Sequence, residues 1–182
     1  MSSPHAPRIS PGGLRELGLP IWAFTRLAGR VTRTDPPRIF TTLGRHHGLF
    51  WGWLHFAGKL MPGGRLPRID TELVILRVAA VRGSDYEFNH HALLGRRAGL
   101  DAGDLERVRS GADAAGWDDR QSLLLRVTES LLDHRDLDDA LWQELRAVED
   151  ERTCIELLML VGHYDMLATT LHTLRVQPED HH

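Results

Sequence analysis

Ser84, Glu87 and His91 are spaced three and four residues apart, so on an α-helix they fall within about sixty degrees of one another. A hydroxyl, a carboxyl and an imidazole on one helix face are acid–base equipment. Glu87 and His91, four residues apart, are near enough for a carboxylate to hydrogen-bond the imidazole, fix its tautomer and raise its pKa. The same face adjoins the N-terminus of its helix, where unpaired N–H groups and the macrodipole favour an anionic group or a developing oxyanion. A purely structural reading stands beside this one. Ser84-Asp85-Tyr86-Glu87 matches the S-x-x-E capping box, in which Ser84 and Glu87 do nothing but satisfy helix-end donors. His91 would then be a hydrogen-bonded core histidine. Glu72 is either a first-turn acid matched to the helix dipole, with Arg77 as its partner, or a member of the site. His90 points about one hundred degrees away from His91 and is read as structural.

The elements that must position these residues are helical. Sustained period-two alternation and Asn-Gly hairpin signals are missing, whereas apolar residues recur at helical spacing between Gly and Pro punctuation. Residues 1–19 read as a Pro/Gly-rich arm, followed by short helices near 20–31, 37–45 and 48–61. Asp70 reads as an N-cap before a nearly all-apolar helix, Thr71 to Arg82, stopped by Gly83; such a helix is buried on most sides. The next runs from Ser84 to about Ala98, and further helices are expected at 102–110, 118–134, 138–148 and 151–175. His163-Tyr164 interrupts the apolar last helix, and a polar pair there is either satisfied internally or faces a site, in which case both residues contact substrate.

The stretch DTELVILRVAAVRGSDYEFNHHALLGRRAGL, residues 70–100, resembles the core segment of the carboxymuconolactone decarboxylase/alkylhydroperoxidase D-like family. In the peroxidase branch a Glu is followed after eleven residues by Cys-x-x-Cys and three residues later by His. On this chain that spacing falls on Glu72, Ser84, Glu87 and His91, so the frame is kept and both sulfurs are missing. FTTLGRHHGLFWGWLHF is similar to the helical lead-in of the family, and GHYDMLATTLHTLRV to its closing helix. The resemblance implies an all-α helical bundle of the alkylhydroperoxidase D-like type, assembled as a homotrimer or homohexamer. It divides the chain into an N-terminal arm and extension at 1–37, a helical domain at 38–176 and a tail at 177–182. It also implies catalytic roles for His91, Glu87 and Glu72, with Ser84, Tyr86, His163 and Tyr164 binding substrate.

Composition narrows the chemistry further. One cysteine, Cys154, excludes an intrachain disulfide framework and any CxxC redox or zinc motif. Dithiol peroxidase chemistry needs one thiolate to attack the peroxide and a second thiol to resolve the sulfenic acid, so the resemblance does not extend to it. His46, His47 and His55 lack a carboxylate or cysteine at ligand spacing, and neither metal nor cofactor is expected. Residues 1–70 hold ten Lys and Arg against three Asp and Glu, the remainder twelve against twenty-two. The arginines are scattered among apolar residues rather than clustered, so no nucleic-acid partner is expected. No apolar run reaches membrane-spanning length, and the expectation is a cytoplasmic protein acting on a small molecule away from membranes. Among functions, cofactor-independent decarboxylase or related lyase/isomerase chemistry on a small carboxylated or carbonyl metabolite leads, with a non-catalytic binding member of the family as the alternative.

Overall fold

In the computed structural model, residues 6–32 and 35–179 are described. Of the described residues 74% are helical, and among them there is no strand. The nine helices among those residues are α1 (Leu14–Thr32), α2 (Arg38–Leu43), α3 (His47–Leu60), α4 (Arg68–Arg82), α5 (Asp85–Ala98), α6 (Ala102–Ser110), α7 (Asp119–His134), α8 (Asp139–Val148) and α9 (Glu151–Leu174). They group into two compact units, one of residues 1–57 with 170–182 and the other of residues 58–169.

The first unit is held by aromatic packing. Leu17, Ile21 and Phe50 form its buried centre, and Phe24, Phe40 and Trp53 pack around them. Phe24 meets Phe40 and Phe50 edge to face, at 5.3 and 5.9 Å between ring centroids, the arrangement that ring quadrupoles favour. Residues 14–17 of the expected arm are already helical. Gly18, at φ 67°, breaks the helix there, and it resumes around Pro20.

The second unit is built around α4, where Leu73, Val74, Ile75, Leu76 and Val78 are each 0% exposed. A helix apolar on every side needs neighbours on every side, and α5, α6 and α7 pack along it. Leu73, Leu76 and Ala79 meet Phe88, Leu100, Leu105, Val108 and Leu125 in one core cluster. Several helix ends are fixed by local chemistry. Gly83 and Gly99 adopt the left-handed conformation that ends α4 and α5, and reciprocal capping boxes start α6 (Asp101 with Asp104) and α7 (Asp118 with Gln121).

The start of α4 differs from the expectation. The helix begins at Arg68 behind Pro67, almost a turn early, and no side chain caps it. Asp70 is buried inside the first turn and accepts a 2.9 Å hydrogen bond from Arg120. An acid that reads as a cap is here a partner for a distant guanidinium. The consequence for the site is that Arg68 becomes helical and lies one turn from Glu72. Helix α9 is long and apolar enough to cross a membrane by length and composition, but half of its apolar window is buried in the fold, as expected of a core helix.

Candidate functional site

All the side chains of this site lie in the second unit. Helix α4 carries Glu72, α5 carries Glu87 and His91, and α9 carries His163 and Tyr164. Gly95, one turn beyond His91, faces α4. A Cβ there would lie 2.9 Å from the end of the Leu100 side chain, 3.4 Å from that of Leu76 and 3.7 Å from the Glu72 Cβ, so α5 is in close contact with α4 at this point.

That closeness creates the central contact. His91 Nδ1 lies 2.7 Å from Glu72 Oε2, and Glu72 is 0% exposed. Because a carboxylate only accepts, Nδ1–H is the donor and Nε2 of the neutral ring is left to accept a proton. The other Glu72 oxygen pairs with the Arg68 guanidinium at 2.6 Å, one helical turn away. A buried carboxylate without such compensation would carry a large desolvation cost. Arg68, whose side chain is 39% exposed, therefore connects a fully buried acid to the surface.

Glu87 corrects the sequence reading. Glu72, not Glu87, holds the His91 imidazole, and Glu87 is not part of a capping box either, since Ser84 stands at the N-cap without a side-chain cap hydrogen bond. Glu87 is buried, with the Ser84 hydroxyl beside its carboxyl and no ion-pair partner among the described residues. Burial pushes its carboxyl up to about 7; the nearby Ser84 hydroxyl works against the shift and the Asp165 charge adds to it. Asp165 is itself held by Arg82 at 2.5 Å and Arg135 at 3.0 Å.

Tyr164 and His163 complete the cluster. The Tyr164 ring stands perpendicular to His91, 5.1 Å between centroids, and its hydroxyl reaches the Met61 sulfur at 3.9 Å. Burial and the Glu72 and Glu87 charges hold the phenol well above its usual range, Arg68 opposing, so it is a neutral donor. His163 is pushed down to about 4 by burial, with His91 adding to the effect. A histidine kept neutral in the fold but protonated when unfolded contributes stability that is complete above about pH 6.5 and lost as pH falls toward 4. Replacing His163 by Gln is therefore expected to remove about 2 kcal/mol of the destabilisation at pH 5 relative to pH 7.5, read from urea unfolding at both values. An identical difference between the two proteins at both pH values would contradict it.

Of the residues expected from the sequence, the structure brings together Glu72, Ser84, Glu87, His91, His163 and Tyr164. Tyr86 is half-buried and lies on the opposite side of α5 from the Ser84–Glu87–His91 face, so it falls outside the cluster. Arg77, the sequence-level partner for Glu72, pairs instead with Glu129. Arg68 and Met61 were missed. The first was hidden by placing the helix start at Asp70, and a thioether has no sequence signal of its own. His46 and His47 serve the backbone: His46 Nδ1 accepts from the Leu49 N–H, and His47 Nε2 lies 2.8 Å from the Glu16 carbonyl. No metal-ligating cluster of three or more side chains occurs among the described residues. Cys154 is buried near the start of α9, about 15 Å along the helix axis from Tyr164.

Comparison with known proteins bears on this all-helical fold and its buried carboxylate–imidazole pair. Residues 48–130 match the Carboxymuconolactone decarboxylase family. That segment, which holds α4, α5 and most of α7, is similar to the family, and the solved structures that resemble the chain share its fold. The fold is similar to that of an uncharacterized peroxidase-related protein from Silicibacter sp. TM1040, at 16% identity and a TM-score of 0.82 over 98% of this chain and 95% of that one. It is equally similar to the alkylhydroperoxidase AhpD core of a peroxidase-related protein from Ralstonia eutropha JMP134, at 18% identity and a TM-score of 0.82 over 97% and 94%. A cysteine-to-alanine variant of the debrominase Bmp8, in complex with 2,3,4-tribromopyrrole, gives a TM-score of 0.79 at 12% identity over 96% and 93%. Comparison with curated proteins returns no match.

Proposed function

We propose that this chain is a member of the carboxymuconolactone decarboxylase/alkylhydroperoxidase D-like family and a cofactor-independent enzyme that moves protons on a small carboxylated or carbonyl metabolite, as a decarboxylase or a related lyase or isomerase. The observation that carries the reading is the Glu87 carboxyl, buried without an ion-pair partner among the described residues and one turn from an imidazole whose Nδ1 Glu72 holds; burial pushes this carboxyl up to about 7. A group that titrates near the working pH is equally able to give and to take a proton. Decarboxylation beside an unsaturated lactone needs a proton donor and hydrogen-bond donors for the developing charge, and His91, Glu87 and Tyr164 are groups of those kinds. The test is a panel of small carboxylated lactones, β-keto acids and ketones, followed by carbon dioxide release and by α-proton exchange. His91-dependent turnover of one of them is the expected result. The absence of His91-dependent turnover on every compound would defeat the reading.

The near-complete burial of the cluster favours a second reading, in which Glu72 and His91 are a folding device in a member that binds a metabolite without turning it over. The two readings part at His91→Gln, which costs turnover in the first and only stability in the second. Thiol peroxidase activity has no support in this chain, because its one cysteine is buried away from the site. Purified protein is accordingly expected to lack dithiol-dependent peroxide reduction, and Cys154→Ser to leave turnover unchanged. Loss of turnover in that variant would place the chemistry elsewhere. Self-association as a homotrimer or homohexamer belongs to the same proposal. The exposed Leu19, Leu27, Leu49 and Trp51 support it, and a stable 20.6 kDa monomer in sedimentation would contradict it.

A further inference from the structure

The charges of the site restrict what it can hold. The only cation in the cluster that reaches it from α4 is Arg68, and its guanidinium is committed to Glu72. Arg82, the cation closest in sequence to Ser84, is committed to Asp165. The first turn of α5, whose backbone dipole would otherwise favour an anion, already carries Asp85 and Glu87. A substrate carboxylate would thus enter a region with no uncommitted positive charge among these groups. Such a placement is unfavourable in a buried environment.

What the cluster does offer is neutral donors. Tyr164 is buried, and its hydroxyl donates to a thioether, among the weakest acceptors in a protein. The Glu87 carboxyl is buried beside the Ser84 hydroxyl and has no ion-pair partner among the described residues. Each group would lower its energy by meeting an oxygen that carries, or is about to carry, negative charge. Both belong to the surroundings of His91, Tyr164 through its ring contact and Glu87 through its position one turn earlier on the same helix.

We propose that the site takes a small uncharged carbonyl compound, a ketone or lactone, whose oxygen is held by the Tyr164 hydroxyl and the Glu87 carboxylic acid while His91, braced by Glu72, removes a proton from the adjacent carbon. The inference rests on the proton-transfer reading above and narrows its substrate class. In the step, the C–H bond breaks and its electron pair forms a carbon–carbon double bond. The carbonyl π pair moves onto oxygen, and the proton resides on His91 Nε2. Returning it to the same carbon gives exchange with solvent; returning it to a conjugated carbon gives isomerisation. No electrons leave the system, and no co-reactant is needed. Glu87 in its protonated form resembles a neutral carboxylic acid kept as an oxyanion donor by an apolar site, a known device for enolisation.

The test is hydrogen–deuterium exchange at the α-carbon, followed by proton NMR on the full chain, with cyclopentanone and α-angelica lactone set against their carboxylated counterparts. The uncharged compounds are expected to exchange at least about tenfold faster than the carboxylated ones, and His91→Gln to abolish the catalysed exchange. Tyr164→Phe, which keeps the ring contact and removes only the hydroxyl, is expected to slow it about 10- to 100-fold while leaving the helical signal unchanged. Faster exchange of the carboxylated compounds, with His91 still required, would overturn the substrate class and leave the proton-transfer reading standing. An unchanged rate in Tyr164→Phe would overturn the role given to the hydroxyl. Absence of His91-dependent exchange on every compound would overturn both the inference and the reading beneath it.

Discussion

Replacing His91 by Gln is expected to lower turnover of the best compound in the panel by about two to four powers of ten, the usual contribution of a positioned general acid or base. The change is chosen to spare the fold. A glutamine amide can still donate to Glu72, and the Arg68–Glu72 ion pair does not involve the ring. What is lost is a nitrogen able to take a proton and return it. Apparent affinity is expected to change much less than turnover, because the ring acts on the reacting atoms rather than on substrate binding. A variant that melts as the parent does and turns over within threefold of it would assign the imidazole to structure alone.

Glu87→Gln is expected to change the pH dependence of stability rather than stability in general. The folded-state carboxyl titrates at about 7 against an unperturbed value of 4.5, so between those values the native state binds a proton that the unfolded chain has released. Stability conferred by this group is therefore present at low pH and falls as pH rises through that window. Between pH 5 and pH 8 the parent loses about 2.5 kcal/mol from this source, which glutamine, having no proton to lose, does not. The variant should match the parent near pH 5 and exceed it by roughly that amount at pH 8, in urea unfolding at each pH. Contributions from all other titrating groups cancel in the difference. A difference independent of pH would mean that the carboxyl is not desolvated in solution.

The helix face that carries the site was legible in the sequence because helical periodicity needs nothing beyond residue numbers. Spacing alone set Ser84, Glu87 and His91 side by side, and the nearly all-apolar run after Glu72, interrupted by Arg77, required a helix buried on most sides, as α4 is. The partner of His91 was not legible in the same way. Periodicity compares residues within one helix, and it offered Glu87; the actual partner sits nineteen residues away on α4, and only the packing of α5 on α4 brings the two together. Reading the helix start from the type of the side chain at Asp70 hid Arg68, since the real start follows a proline and uses no side-chain cap. The family frame singled out both Glu72 and His91 but did not pair them. The grouping of residues 170–182 with 1–57 likewise joins distant parts of the chain and leaves no local mark.

The account depends most on a buried carboxyl at position 87 that changes charge near neutrality beside the Glu72–His91 pair. Infrared difference spectroscopy measures this directly, by following the C=O stretch of protonated carboxylic acids through a pH titration of the parent with Glu87→Gln as the subtraction control. The band removed by the substitution is expected to disappear with a midpoint near 7 as pH rises. A midpoint near the unperturbed 4.5, or no band assignable to Glu87, would show an ordinary solvated carboxylate and contradict the central claim.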